Sequence, residues 1–206
     1  MKINQIKSKF LGGSFDQNTY VLSNENFALL IDAGANLEDI LKFTKNKKVL
    51  AVLITHLHFD HIWNLKSILD YFDCNVYIVS GFDDYFNNPL KNVSKVFGLN
   101  LSFEISKSKI KYYSKEMGLG DFKIQIFSTP GHSKDSVCIK IDENLFTGDT
   151  VFDGNVGRTD LFGASTDELN ESLKTIELID FKYAFPGHGD ACLKQDILQT
   201  IYYEIG

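Results

Sequence analysis

All five histidines of the chain fall in three short segments whose residue types suit metal coordination. They are His56, His58 and His61 in Thr55-His-Leu-His-Phe-Asp-His61, His132 in Thr129-Pro-Gly-His132, and His188 in Pro186-Gly-His188-Gly189. Two carboxylates accompany them, Asp60 inside the first segment and Asp149 in Phe146-Thr-Gly-Asp149. Neutral imidazoles and carboxylates serve a borderline divalent cation, zinc first, with iron and manganese also suited. In extended chain, residues two apart point the same way, so His56 and His58 can reach one metal while Leu57 packs behind them. His61 breaks that parity. If the chain turns into a helix there, Asp60 and His61 face a second metal close to the first. Two ions need more ligands than this cluster supplies, which gives His132, Asp149 and His188 a shared purpose.

The rest of the chain must position these residues. With 206 residues, 44% of them apolar, it can bury a sizeable core and reads as a single domain spanning 1–206. No linker, low-complexity tract or short repeat divides it. A net charge of -6 and a pI near 5.3, with Arg158 the one arginine, exclude a groove for nucleic acid, which needs a basic surface. No run of about 18 apolar residues argues for a membrane span, and the start has no signal-peptide core. Cys74, Cys138 and Cys192 are widely spaced and odd in number, which favours reduced thiols and a soluble, cytoplasmic protein over disulfides.

Residues 19–22 and 27–31 read as paired strands around a turn-forming cluster at 23–26. Asn36 is placed to cap a helix with Leu37, Ile40, Leu41 and Thr44 on one face. The apolar run 49–54 suits a strand buried on both faces, and the histidine cluster begins where it ends. A helix is expected over 63–71 and a strand over 75–79. Segments 109–113, 121–127, 136–141 and 144–147 read as a second strand set. Ser165-Thr-Asp-Glu168 is a capping box ahead of an amphipathic helix carrying Leu169, Leu173, Ile176 and Ile179, and 183–185 is a further strand. Two strand sets with helices at their ends imply helices packed outside a sheet sandwich.

The order HxHxDH, Pro-Gly-His132, Phe-Thr-Gly-Asp149 and Pro-Gly-His188 resembles the metallo-β-lactamase superfamily from about Asn18 to His188. That resemblance implies an α/β fold, a four-layer αββα sandwich, with the metals at one edge of the two sheets. It implies His56, His58 and His132 on one metal, Asp60, His61 and His188 on the other, and Asp149 between them. Phe15-Asp-Gln-Asn18-Thr-Tyr20 and Ile31-Asp32-Ala-Gly34 look like the family's opening strands, with Asp32 supporting the metal loop through hydrogen bonds. The fold hosts many reactions, so it does not name this one. Asp149 points away from β-lactamases, which lack an aspartate there. Phe152 points away from homoserine lactonases, which usually have a tyrosine, and His58 away from flavodiiron oxidoreductases.

What remains resembles short bacterial forms of glyoxalase II, the hydroxyacylglutathione hydrolases, through Gly157-Arg-Thr-Asp160-Leu-Phe-Gly163 and the ending Pro-Gly-His188-Gly189. The implied function is thioester hydrolysis with two divalent ions roughly 3.5 to 4 Å apart, a bridging hydroxide as nucleophile, and Asp60 or Asp149 orienting it. A thiolate leaves without a strong general acid. The alternatives are a mononuclear iron persulfide dioxygenase of the same fold, which shares the Gly-Arg-Thr-Asp segment, and a non-catalytic metal-binding protein. Arg158 either grips a substrate carboxylate in a bidentate fork or pairs with Asp160 or Asp153 to hold its loop. Trp63, Tyr112, Tyr113 and Phe152 could line an apolar pocket, though aromatics at such positions commonly belong to the core.

Overall fold

The computed structural model describes residues 1–13 and 15–206, apart from the side chain of Phe15. The chain forms two compact units, Met1–Tyr113 and Ser114–Gly206, each built on its own six-stranded sheet.

In the first unit the elements are β1 (Lys2–Phe10), β2 (Phe15–Ser23), β3 (Phe27–Ile31), α1 (Leu37–Thr44), β4 (Lys48–Leu53), α2 (Phe59–Ile62), α3 (Leu65–Phe72), β5 (Asn75–Ile78) and β6 (Ile110–Tyr112). They form one sheet in chain order, with β1, β2 and β3 antiparallel and β3 to β6 parallel. Period-two alternation sends Val21, Leu30, Val52 and Val76 to the face that packs with Ile40 of α1 and Leu65 and Ile68 of α3. Leu22, Leu29, Ile31 and Leu53 on the opposite face are buried too, so β3 and β4 are apolar on both sides, as the continuous run in the sequence implies. Each fully buried Leu, Ile or Val contributes roughly 1.5–3 kcal/mol.

The second unit contains β7 (Glu116–Leu119), β8 (Phe122–Ser128), β9 (Val137–Ile141), β10 (Asn144–Gly148), β11 (Val151–Phe152), β12 (Asn155–Val156), α4 (Thr166–Leu178), β13 (Tyr183–Pro186), β14 (Cys192–Leu193) and α5 (Lys194–Ile205). Its sheet runs β14-β13-β10-β9-β8-β7, with β10 and β13 parallel, and β11 and β12 form a separate small hairpin. Leu169, Leu173 and Ile176 of α4 join Ile197 and Ile201 of α5 over Cys138, Leu145 and Ala184 of the sheet.

Several expectations shift. The strand near 109–113 belongs to the first sheet, where Ile110 pairs with Val76, and not to the second set. The helix expected over 63–71 is α3, which starts two residues later because the Asn64 N–H bonds the carbonyl of Ala33 at 2.9 Å, and α2 ahead of it is the turn into helix expected at Asp60 and His61. Asn36 stands at the N-cap of α1 without a side-chain cap bond; only its carbonyl engages the first turn. The box at Ser165 is half formed. Ser165 Oγ accepts from the Glu168 N–H at 3.3 Å, while its own N–H is taken by the Gly131 carbonyl at 2.8 Å.

Candidate metal centre

The first unit presents its ligand-type residues at the end of β4. Beyond β4, Leu57 is turned into the core and His58, extended, stands at the N-cap of α2, which carries Asp60 and His61. His56 and His58 have ring centroids 4.5 Å apart, His56 and His61 4.1 Å, and Asp60 Oδ2 lies 3.7 Å from His61 Nε2. All four side chains are buried. The loop is tied to the end of β3: the Asp32 N–H bonds the Leu53 carbonyl at 2.9 Å, and the Ala33 N–H bonds the His61 carbonyl at 2.7 Å.

Asp32 does more than brace the backbone. Its carboxylate accepts from the Thr55 N–H at 2.8 Å, from Thr55 Oγ1 at 2.9 Å, and from His61 Nδ1 at 2.7 Å. A carboxylate only accepts, so His61 carries its proton on Nδ1 and offers Nε2 to a metal. The Thr55 hydroxyl spends its proton on Asp32, so toward His56 Nδ1, 3.2 Å away, it can only accept. His56 therefore also holds its proton on Nδ1. One buried carboxylate thus sets the tautomers of two imidazoles, the outer-shell arrangement that fixes metal-binding histidines.

In the second unit, the parallel pairing of β10 with β13 brings the ends of both strands together, locked by a Gly187 N–H bond to the Gly148 carbonyl at 2.8 Å. Asp149 and His188 follow those ends. Asp149 Oδ2 lies 3.1 Å from His188 Nε2 and 3.6 Å from His132 Nε2, so both imidazoles converge on one carboxylate oxygen. His132 sits on the β8–β9 loop, which Ser172 Oγ and the Ser165 N–H hold at α4 through the Pro130 and Gly131 carbonyls. Gly131 has φ +139°, and a Cβ there would meet the Leu169 backbone at 2.3 Å, so this close approach requires glycine. His132 Nδ1 donates to the Arg158 carbonyl at 2.9 Å, which fixes a third Nδ1–H tautomer. Nitrogen and carboxylate donors held in this way suit a divalent cation.

Residues 12–188 match the sequence profile of the metallo-beta-lactamase superfamily. The chain belongs to that superfamily. A probable metallo-hydrolase of Bacillus subtilis (strain 168), YqgX, is 30% identical over 89% of this chain and 92% of its own. Among solved structures, BLEG-1, a B3 metallo-beta-lactamase, superposes with a TM-score of 0.87 at 28% identity and full coverage of both chains. TTHA1623 in a di-iron-bound form gives 0.77 at 27% identity over 96% of this chain and 99% of its own. The fold is the mixed α/β metallo-beta-lactamase fold, two sheets with their helices.

The remaining expected residues are distributed as follows. The Arg158 guanidinium forks onto Asp160, one of its two expected partners, Nε to Oδ1 at 2.6 Å and Nη2 to Oδ2 at 2.7 Å. Tyr113 is partly buried; its hydroxyl donates to the Ile54 carbonyl, and burial of that hydroxyl pushes the phenol well above its ordinary pKa. Tyr112 is exposed and bonds Asp83. Trp63 packs edge-on against Phe10 and Phe59, and Phe152 stands edge-on to His188 with centroids 6.0 Å apart. Thr55 and the Arg158 carbonyl, which contact His56 and His132, are groups that sequence reading overlooks. Thr55 at least had a signal, a hydroxyl directly before His56, whereas a main-chain carbonyl carries none. Among the described residues no helix is long and apolar enough to cross a membrane, and the three cysteines are free.

Proposed function

We propose that this chain is a binuclear-metal hydrolase of the cytoplasm that cleaves thioesters, with hydroxyacylglutathione as the representative substrate. The reading takes residues 1–206 as one catalytic domain in which His56, His58 and His132 hold one cation, Asp60, His61 and His188 the other, and Asp149 both. The observation that carries it is the triple tautomer lock: His56, His61 and His132 each have Nδ1 committed to an acceptor, as ligands offering Nε2 require. Zinc, or the iron named for TTHA1623, would supply an acidified water and polarise a carbonyl oxygen. Asp60 and Asp149, buried beside the histidines, would orient that water and take up its proton.

Phe152 supports the choice of leaving group. The ring beside His188 cannot protonate a departing alkoxide, whereas a thiolate, with a thiol pKa near 8.5, leaves as the anion. Hydrolysis of β-lactams is a second reading, raised by the likeness to BLEG-1 and opposed by Asp149.

Zinc-replete protein is expected to hold close to two ions by elemental analysis and to release free thiol anaerobically from a 2-hydroxyacyl thioester of glutathione. Turnover of a chromogenic cephalosporin without thioester cleavage would give the second reading instead. Oxygen uptake with glutathione persulfide and iron-loaded protein, at most one tightly bound ion, and negligible thioester cleavage would make the chain a dioxygenase.

A further inference from the structure

We infer that Gly157-Arg158-Thr159-Asp160 is a positioning strap for His132, with Arg158 acting through its main-chain carbonyl and its guanidinium clamping the strap to Asp160. The inference rests on the reading of His132 as a metal ligand and goes beyond it by assigning the group that orients the ligand. Four observations converge. His132 Nδ1 donates to the Arg158 carbonyl at 2.9 Å, a partner fixed by main-chain position. Gly157 lies hard against both ligands it precedes in space: a Cβ there would stand 2.0 Å from the Asp149 carbonyl and 2.8 Å from His132 Cβ. The segment is held on either side of Arg158, by the Gly157 N–H on the Thr150 carbonyl at 3.2 Å and by Thr159 Oγ1 against Thr166 Oγ1 at 2.8 Å. The Arg158 and Asp160 side chains close a bidentate pair across Thr159, so the Arg158 carbonyl lies inside the clamped stretch.

The pair is half exposed or more, at 52% and 68%, and an exposed ion pair contributes little to global stability. Its consequence is local. Loosening it lets the carbonyl swing from His132 Nδ1, and the imidazole loses the partner that fixes its ring and its proton. Outer-shell losses of this kind weaken metal binding about 10- to 100-fold. A guanidinium serving as receptor for a substrate carboxylate would behave differently, raising KM for a carboxylate-bearing substrate and leaving metal affinity alone.

The test uses the full chain as wild type, Arg158→Ala, Asp160→Ala, the charge-swapped Arg158→Asp/Asp160→Arg, and His132→Ala. Zinc affinity is read by competition with a chromogenic chelator, and the His132 Nδ1–H by proton NMR of histidine-labelled protein. Both single variants of the pair are expected to weaken one of the two zinc sites by about tenfold or more and to speed exchange of the His132 Nδ1–H. The swapped pair should restore much of both. The melting temperature of metal-free protein should fall by less than about 4 °C. Unchanged zinc affinity and exchange in Arg158→Ala, with KM raised only for a carboxylate-bearing thioester, would overturn the strap in favour of a substrate ligand. Loss of both properties in the swapped pair as severe as in Arg158→Ala would also overturn the clamp. His132→Ala without loss of zinc would refute the metal reading itself, a failure distinct from these.

Discussion

Replacing Asp32 by asparagine exchanges one carboxylate oxygen for an amide nitrogen and leaves the shape of the side chain nearly intact. If the amide oxygen keeps the Thr55 N–H, the new NH2 points at His61 Nδ1 and Thr55 Oγ1, which now stand 2.7 and 2.9 Å from Oδ2. Donors then face donors. His61 can answer only by moving its proton to Nε2, while the Thr55 hydroxyl can turn its proton to Oδ1, 3.1 Å away, and go on accepting from His56 Nδ1. A hydrogen bond to a charged group contributes about 1.5–3 kcal/mol. Because the shifted tautomer recovers part of this in metal-free protein, the low end, about 1.5 kcal/mol, is the expected stability loss, or roughly 3–6 °C in melting temperature for a chain of this size. Metal binding has no such relief, since Nε2 is the atom to be coordinated. Zinc affinity should therefore fall at least about tenfold, within the 10- to 100-fold range of outer-shell substitutions. Thermal melts in chelator and zinc competition titrations measure the two effects separately. Asp32→Asn with wild-type zinc affinity would refute the tautomer argument, whatever happened to its melting temperature.

Asp149→Ala removes the oxygen on which His132 and His188 converge, so loss of at least one ion and of most turnover is expected with the circular dichroism spectrum retained; two ions and near-normal turnover would end the bridging assignment. Burial is the main cause that pushes Cys74 up to about 11 and Cys138 and Cys192 to about 12, so at pH 8 the folded chain should react with a thiol reagent at less than one site in the time the denatured chain reacts at three. A thiol whose pKa is raised in the fold gives stability present below its ordinary value of 9.0 and lost as pH climbs through the folded value, because only the unfolded thiol ionises first. Urea midpoints should accordingly decline from about pH 9 upward, with Cys192 contributing least because water screens a half-exposed group; a flat profile from pH 8 to 11 would contradict this.

The sequence by itself determined the superfamily, the clustering of metal-ligand residue types and most of the strands. Residue type and spacing placed His56, His58, Asp60 and His61 at the end of a doubly buried strand, because apolar runs and ligand chemistry are local properties of the chain. Edge elements were harder to read. β1, Lys2–Phe10, is lysine-rich and half exposed, so it lacks the apolar signal of its neighbours, and β6 joined the first sheet by a pairing with β5 that no local pattern encodes.

Tertiary structure alone decided the partners. Asp32 reaches His61 across 29 positions, and Arg158 reaches His132 across 26. The two groups also differ in how far they could be foreseen. Asp32 is a side chain in a recognisable segment, so a supporting role was visible, although its control of two tautomers through Thr55 depends on distances that only folding sets. The carbonyl that orients His132 belongs to the peptide bond, which is the same at every residue. Sequence could weigh only the guanidinium of Arg158, and the fold turned that guanidinium to Asp160 and the carbonyl to the histidine.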